Sequence, residues 1–190
     1  MRKAEVERET AETYVKVFID LDGRGNVRVD TGIGFFDHMV ETMTYYAGFD
    51  CEVIGREKRW VGGHHVMEDV GLTMGEAIRK ALGDRGFSRF GEAITPMDET
   101  LVLAAIDISG RPRAFIDLPR GAVGGVSVED LAHFIESLAY TLKASVHIVV
   151  FRKGNTHHVV EAAFKSLGRA LGEATRSFSG VRSLKGVLEG

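Results

Sequence analysis

A single cysteine, Cys51, rules out an intrachain disulfide framework and suits a reducing compartment. No thiolate-stabilising groups surround it, so it reads as a buried strand residue rather than a nucleophile. No apolar run approaches the ~20 residues that a membrane-spanning helix needs. The opening Met1-Arg2-Lys3-Ala4-Glu5 also lacks the apolar stretch of a secretory signal. These absences make a cytoplasmic protein with no membrane partner the expectation. Excess charge of either sign is missing too. The formal net charge of −3 gives no electrostatic case for nucleic acid. What remains is ordinary for a globular protein, with 44% apolar and 27% charged residues in a 190-residue chain. That length can bury a core in one or two compact units.

The chain is written twice. Glu12-Thr13-Tyr14-Val15-Lys16-Val17-Phe18-Ile19-Asp20-Leu21-Asp22-Gly23-Arg24 aligns without a gap on Glu99-Thr100-Leu101-Val102-Leu103-Ala104-Ala105-Ile106-Asp107-Ile108-Ser109-Gly110-Arg111. His38, Glu41 and Tyr45 match His133, Glu136 and Tyr140, and Gly75 and Ala77 match Gly168 and Ala170. The order of matches implies two homologous halves, 1–97 and 98–190, with repeat cores near 10–84 and 98–176. Alternating Val15, Val17, Ile19 and Leu21 predict a strand closed by the turn Asp22-Gly23. Val27 and Val29 predict a second strand, followed by a helix over 35–46, a strand over 51–56 and a helix over 64–82. The second half repeats the order: strands near 101–108 and 112–118, a helix near 128–142, a strand near 145–152 and a helix near 156–176. The expected fold is therefore α+β, two tandem ββαβα repeats with a helical layer between two β-sheets. Gly71, Gly75, Gly168 and Gly172 fall inside the predicted helices. Each costs about 1 kcal/mol against Ala, which suggests close approach between helices. The first eight residues are expected to fray.

The repeat also duplicates a metal-binding pattern. His64-His65-Val66-Met67-Glu68 returns as His157-His158-Val159-Val160-Glu161. Positions i and i+4 share a helix face, so His64 with Glu68 and His157 with Glu161 can each grip one ion. His65 and His158 point about 100 degrees further round the helix and can reach a second ion. His38 and His133 add a matched imidazole in each half. Six imidazoles and two carboxylates could hold two ions with four protein ligands each, leaving open positions for substrate. Nitrogen and oxygen ligands without thiolate suit Mn, Fe, Zn or Co. The spacing leaves open which ligand serves which ion. The seventh histidine, His147, falls where the first half has Glu52 and reads as structural.

Several segments taken together resemble the imidazoleglycerol-phosphate dehydratase family of histidine biosynthesis. They are Thr31-Gly32-Ile33-Gly34-Phe35-Phe36-Asp37-His38-Met39, His64-His65-Val66-Met67-Glu68-Asp69, Arg89-Phe90-Gly91 and Pro96-Met97-Asp98-Glu99. Asp107-Ile108-Ser109-Gly110-Arg111-Pro112 and Asn155-Thr156-His157-His158-Val159-Val160-Glu161 continue the resemblance over essentially the whole chain. It implies a fold of the ribosomal protein S5 domain 2 type. It also implies a lyase with two Mn²⁺ per active site, built from trimers into a 24-mer with sites between subunits. The metal ligands so implied are His38, His64, His65, Glu68, His133, His157, His158 and Glu161. Glu12 matches the acid–base carboxylate. Arg89, Arg111, Lys165, Ser183 and Lys185 match positions that bind the substrate phosphate or line its pocket.

The implied reaction removes water from D-erythro-imidazole glycerol phosphate to give imidazole acetol phosphate. It proceeds through a di-metal-bound imidazolate and a diazafulvene, by electrostatic and acid–base catalysis. The chain departs from the family in three places. Trp60-Val61-Gly62-Gly63 replaces an acidic approach to the first claw, Arg182-Ser183-Leu184-Lys185-Gly186 replaces a proline-containing tail, and Phe36 replaces leucine. The lost acids alter what can orient the imidazoles. Two other readings stay open on the residues alone: a two-metal hydrolase on the same fold, and metals that only staple an oligomer.

Overall fold

The computed structural model describes residues 2–59, 61–84, 86–180 and 183–184. The first sheet is built from β1 (Lys3–Glu9), β2 (Thr13–Asp20), β3 (Val27–Asp30) and β4 (Asp50–Glu57), in the order β1-β2-β4-β3. β2 alternates as its sequence requires. Val15, Val17 and Ile19 are buried, while Tyr14, Lys16 and Phe18 face outward. α1 (Gly34–Ala47) and α2 (His64–Leu82) follow β3 and β4. The second half repeats this order with β5 (Phe90–Met97), β6 (Thr100–Asp107), β7 (Arg113–Ile116), α3 (Val128–Leu142), β10 (Ser145–Arg152) and α4 (Thr156–Thr175). Its sheet runs β5-β6-β10-β7. A small hairpin, β8 (Ala122–Val123) with β9 (Val126–Ser127), precedes α3.

Each half is thus βββαβα, one strand richer than the ββαβα read from sequence. Both extra strands are edges, and both lack the apolar alternation that marks a strand. In β1, Val6 is the one buried apolar residue of a charged run, and Glu5, Glu7 and Glu9 face solvent. Charge of this kind blunts an exposed edge and resembles a frayed tail. The first residues accordingly do not fray: Lys3–Glu9 pairs with β2 along its whole length. In β5 the inward positions are Gly91, Ala93 and Thr95, too small to give an apolar signal. β5 pairs with β6 from Phe90 to Met97, so it belongs to the second sheet, and the division at 97/98 falls too late.

All four major helices lie between the sheets. α2 rests on β1 and β2 and packs on α3; α4 rests on β5 and β6 and packs on α1. The interior glycines set these contacts. A Cβ on Gly71 would stand 2.6 Å from the Phe134 carbonyl oxygen, and one on Gly75 would stand 2.4 Å from that of Leu138. Gly168 and Gly172 meet the Met43 and Ala47 carbonyls in the same way, at 2.2 and 2.6 Å. Partners advance together along each pair, so α2 runs with α3 and α4 with α1. Their N-terminal ends therefore lie side by side. Gly168→Ala is expected to lower unfolding stability by about 1–3 kcal/mol, because backbone on both sides resists the shift. Thermal or denaturant unfolding would show it, and an unchanged midpoint would contradict the packing.

Candidate active site

Two clusters form at these paired helix ends. His64 and Glu68 stand on the opening turns of α2 beside His133 of α3, with ligand atoms within 4.8 Å of one another. The rings of His64 and His133 are stacked, 5.1 Å between centroids and 13° between planes. His133 Nε2 lies 3.5 Å from Glu68 Oε1. The Nδ1 atom of His64 lies 2.8 Å from Asp130 Oδ1, across the α2–α3 contact.

The second cluster uses the matched residues of α4 and α1. His157 Nε2 is 3.1 Å from Glu161 Oε2, and Lys165 Nζ is 2.8 Å from Glu161 Oε1. His38 faces Glu161 and Lys165 across an open cleft of about 440 Å³, walled also by Tyr45 and Tyr46. Burial pushes the Glu161 carboxyl up, but Lys165, His157 and His38 outweigh it and the net shift is downward. Lys165 and His157 are the groups that close on Glu161, whereas His133 closes on Glu68. In place of a carboxylate, Phe35 sets its ring edge-to-face on His157 at 5.3 Å.

His65 and His158 turn away from these clusters, as the 100° step requires. Each meets the glutamate that opens the repeat. His65 Nδ1 is 3.3 Å from Glu12 Oε2, without a hydrogen bond, and His158 Nδ1 is 3.1 Å from Glu99 Oε2. Asp98 joins the latter pair to make a second group with metal-ligand spacing. The matched glutamates differ in character. Glu99 accepts from the Asn155 backbone N–H at 2.6 Å. That bond, then its own N–H, then His158 hold its carboxyl down to about 2. The Glu12 side chain is 62% exposed and has His65 as its neighbour.

The floor beneath Glu12 is also particular to the first half. Asp69, buried next to Glu68, accepts from Thr13 Oγ1 at 2.5 Å and from Arg8 Nε at 2.6 Å. This ties α2 to β1 and β2 immediately beside Glu12. In the second half Ala162 stands at the matched place, and the buried Thr100 hydroxyl has no hydrogen-bond partner.

Known proteins decide the family. The imidazoleglycerol-phosphate dehydratase family model matches residues 31–171. The chain belongs to the imidazoleglycerol-phosphate dehydratase family. Relatives of that name from Metallosphaera sedula and Desulfitobacterium hafniense are each 47% identical, over 98% and 99% of this chain and 99% of theirs. The Pyrococcus furiosus enzyme, solved in complex with (S)-C348, aligns with a TM-score of 0.86 and 41% identity over 96% of this chain and 100% of that one. The Staphylococcus aureus enzyme aligns with a TM-score of 0.81 and 31% identity over 93% of this chain and 99% of that one. A chain of this family is a hydro-lyase, and the α+β architecture is the family's own.

Against that family background, one chain gathers only part of the expected site. Lys165 lies at the second cluster. Arg89 and Arg111 do not reach either cluster. They flank the far end of β6, where Arg89 makes a two-pronged pair with Asp107 at 2.6 and 3.1 Å. Glu99 and His158 mark the near end, about 26 Å away along eight residue steps of strand at ~3.3 Å each. Ser183 is partly buried beyond α4, and Lys185 lies outside the described residues, as does Trp60. Asp130, Phe35 and Asp69 are the neighbours that sequence reasoning missed. Comparing the halves at His38 and His133 would have flagged the first two, since each stands three residues before that histidine. Cys51 is buried in β4 and its thiol is pushed up to about 12 by burial, as befits an inert core residue.

Proposed function

We propose that this hydro-lyase converts D-erythro-imidazole glycerol phosphate to imidazole acetol phosphate in histidine biosynthesis. The reading assigns it two Mn²⁺ ions per active site, in sites completed between copies of the chain. The observation that carries the reading is the duplicated His–His–Glu arrangement at paired helix ends. Its donors are nitrogen and oxygen throughout, which fits a divalent ion of the Mn class. His64, Glu68 and His133 would hold one ion, and His157, Glu161 and His38 the other. His65 and His158, turned away from these clusters toward Glu12 and Glu99, are the ligands that would serve a neighbouring copy. When bound, the two ions would supply positive charge that stabilises negative charge developing on the substrate's imidazole ring.

The remaining work falls to side chains of the protein. Glu12 takes the proton from the carbon adjoining the carbinol. The C–O bond next to the ring breaks and its electron pair leaves with the hydroxyl, which departs as water once protonated. The resulting enol tautomerises to the ketone. Glu12 suits this role because its carboxylate is accessible and not tied into the backbone as Glu99 is. Arg89, Arg111, Lys165, Ser183 and Lys185 supply cations and donors for the phosphate. The strand length between Arg89 and the clusters favours their serving a site in a different copy.

Self-association, into trimers and a 24-mer by the family's pattern, is further supported by the outer faces of the two sheets. On the first sheet, Glu5, Phe18, Glu52 and Arg28 share one row, and Glu7, Lys16, Ile54 and Asp30 the next. On the second, Ile94, Leu103 and Val149 share a row, and Phe115 stacks on His147 at 4.7 Å. Phe90, Ile94, Phe115 and Phe151 are each about half exposed there. An apolar face of this kind on one homologous sheet and not the other fits burial against a second copy. Among the described residues no helix is long and apolar enough to cross a membrane, and a cytoplasmic setting fits the pathway.

Chelation and restoration test the reading. Metal-free protein should form no ketone, and Mn²⁺ should restore turnover as it approaches two ions per chain. Phosphate release in place of ketone formation would point to a hydrolase instead.

A further inference from the structure

The two halves place different residues behind their matched claws. Three residues before His133 stands Asp130, and three before His38 stands Phe35. Asp130 meets His64 through a 2.8 Å contact at Nδ1, whereas Phe35 meets His157 through a ring edge. We infer that Asp130 is a positioning residue that fixes His64 for one ion, so that the two metal sites of this chain are unequal and the His64 site is the tighter. The inference rests on the two-ion reading above.

The chemistry follows from the imidazole. A carboxylate at Nδ1 selects the tautomer with its proton there and leaves the Nε2 lone pair free for a metal. It also makes that nitrogen a better donor. The stacking of His64 on His133 then restrains the ring in a group whose ligand atoms, with Glu68, lie within 4.8 Å of one another. Phe35 can restrain the His157 ring but accepts no proton from it. The nearest carboxylate to His157 is Glu161, itself a candidate ligand. The approach to the α2 claw offers no substitute. Its N-cap is Gly63 with no side-chain cap, whereas Asn155 caps α4 by accepting from the His157 N–H at 2.8 Å. Asp130 thus supplies from the neighbouring helix an acidic group that residues 61–63 do not provide.

Asp130 also sits in the first turn of α3, where any anion favours the helix. Glu129, its exposed neighbour in that turn, gives the control. Assembled protein is titrated with Mn²⁺, following heat and free-ion concentration, for the unaltered chain and for Asp130→Ala, Asp130→Asn and Glu129→Ala. The unaltered chain should bind in two classes of one ion per chain. Asp130→Ala should weaken the tight class about 10–100-fold and leave the other within about twofold. Asp130→Asn, whose amide oxygen still accepts from Nδ1, should fall between, and this variant keeps the test valid if alanine disturbs folding. Glu129→Ala should leave both classes in place. Unchanged binding in both Asp130 variants, an equal loss in Glu129→Ala, or two equal classes at the outset would overturn the inference. Uptake of fewer than two ions per chain by the unaltered protein would sink the two-ion reading itself, and this inference with it.

Discussion

Glu12→Gln should lower kcat by about 10²–10⁴-fold, the usual contribution of a positioned acid or base. Manganese uptake, assembly and unfolding should stay as they are. The substitution keeps the shape of the side chain and removes its ability to take a proton. Among the described residues the one close partner of that carboxylate is His65, at 3.3 Å, and the side chain is largely exposed. The segment is instead held by backbone and by Thr10, whose hydroxyl accepts from the Glu12 N–H at 3.1 Å, while the Lys58 N–H donates to the Glu12 carbonyl at 2.8 Å. A loss of kcat with KM little changed would therefore report chemistry rather than damage. Glu99→Gln makes an informative contrast. Glu99 anchors the Asn155 N–H and is held strongly anionic, so its variant should disturb the start of α4 rather than proton transfer. Turnover within tenfold of the parent in Glu12→Gln would remove this residue from the mechanism.

The second large effect concerns assembly. Phe115→Glu combined with Val149→Glu should break the assembly into small species, and ketone formation should fall with it. Both side chains point away from the core; β10 is held by its opposite face, where Val146, Ile148 and Val150 are buried, and β7 by the half-buried Ala114 and Ile116. A folded but dissociated chain is therefore the expected product. Burying two carboxylates in an apolar contact without partners is heavily unfavourable. Sedimentation or light scattering would follow the size, and circular dichroism the fold. Retention of the full assembly would show that this face is not between copies.

Much of this was legible because the chain repeats itself. The helix over 64–82 and that over 128–142 were read with their observed bounds, since each carries helical periodicity and a matched twin. The glycines inside the helices over 64–82 and 156–176 mark the close contacts. The edge strands β1 and β5 were not legible, one being charged and the other small on its inner face. Neither produces the period-two apolar signal on which strand reading depends. In the site, the matched spacing picks out two candidate claws, and the structure places both at paired helix ends. Asp130 lies 66 residues from His64 in sequence and reaches it because Gly71 and Gly75 let α3 approach α2. Such a neighbour is created by packing, and the sequence marks it only by its place three residues before His133, where the other half has Phe35. Arg89 posed the reverse difficulty. Its segment resembles the family's, yet one chain places it at the wrong end of a strand to serve its own claw.

His65 and His158 turn away from the clusters of their own chain, toward Glu12 and Glu99, and this bears on how sites are counted. In the proposed assembly each chain lends one such histidine from each half, so sites would tally with contacts between copies rather than with copies. A row of chains with free ends would always hold idle half-sites at its termini, and only a closed arrangement engages every one. Dilution should then reduce activity faster than it reduces protein, since each lost copy strands ligands on its neighbours. An enzyme assembled this way measures its own concentration before it turns over substrate.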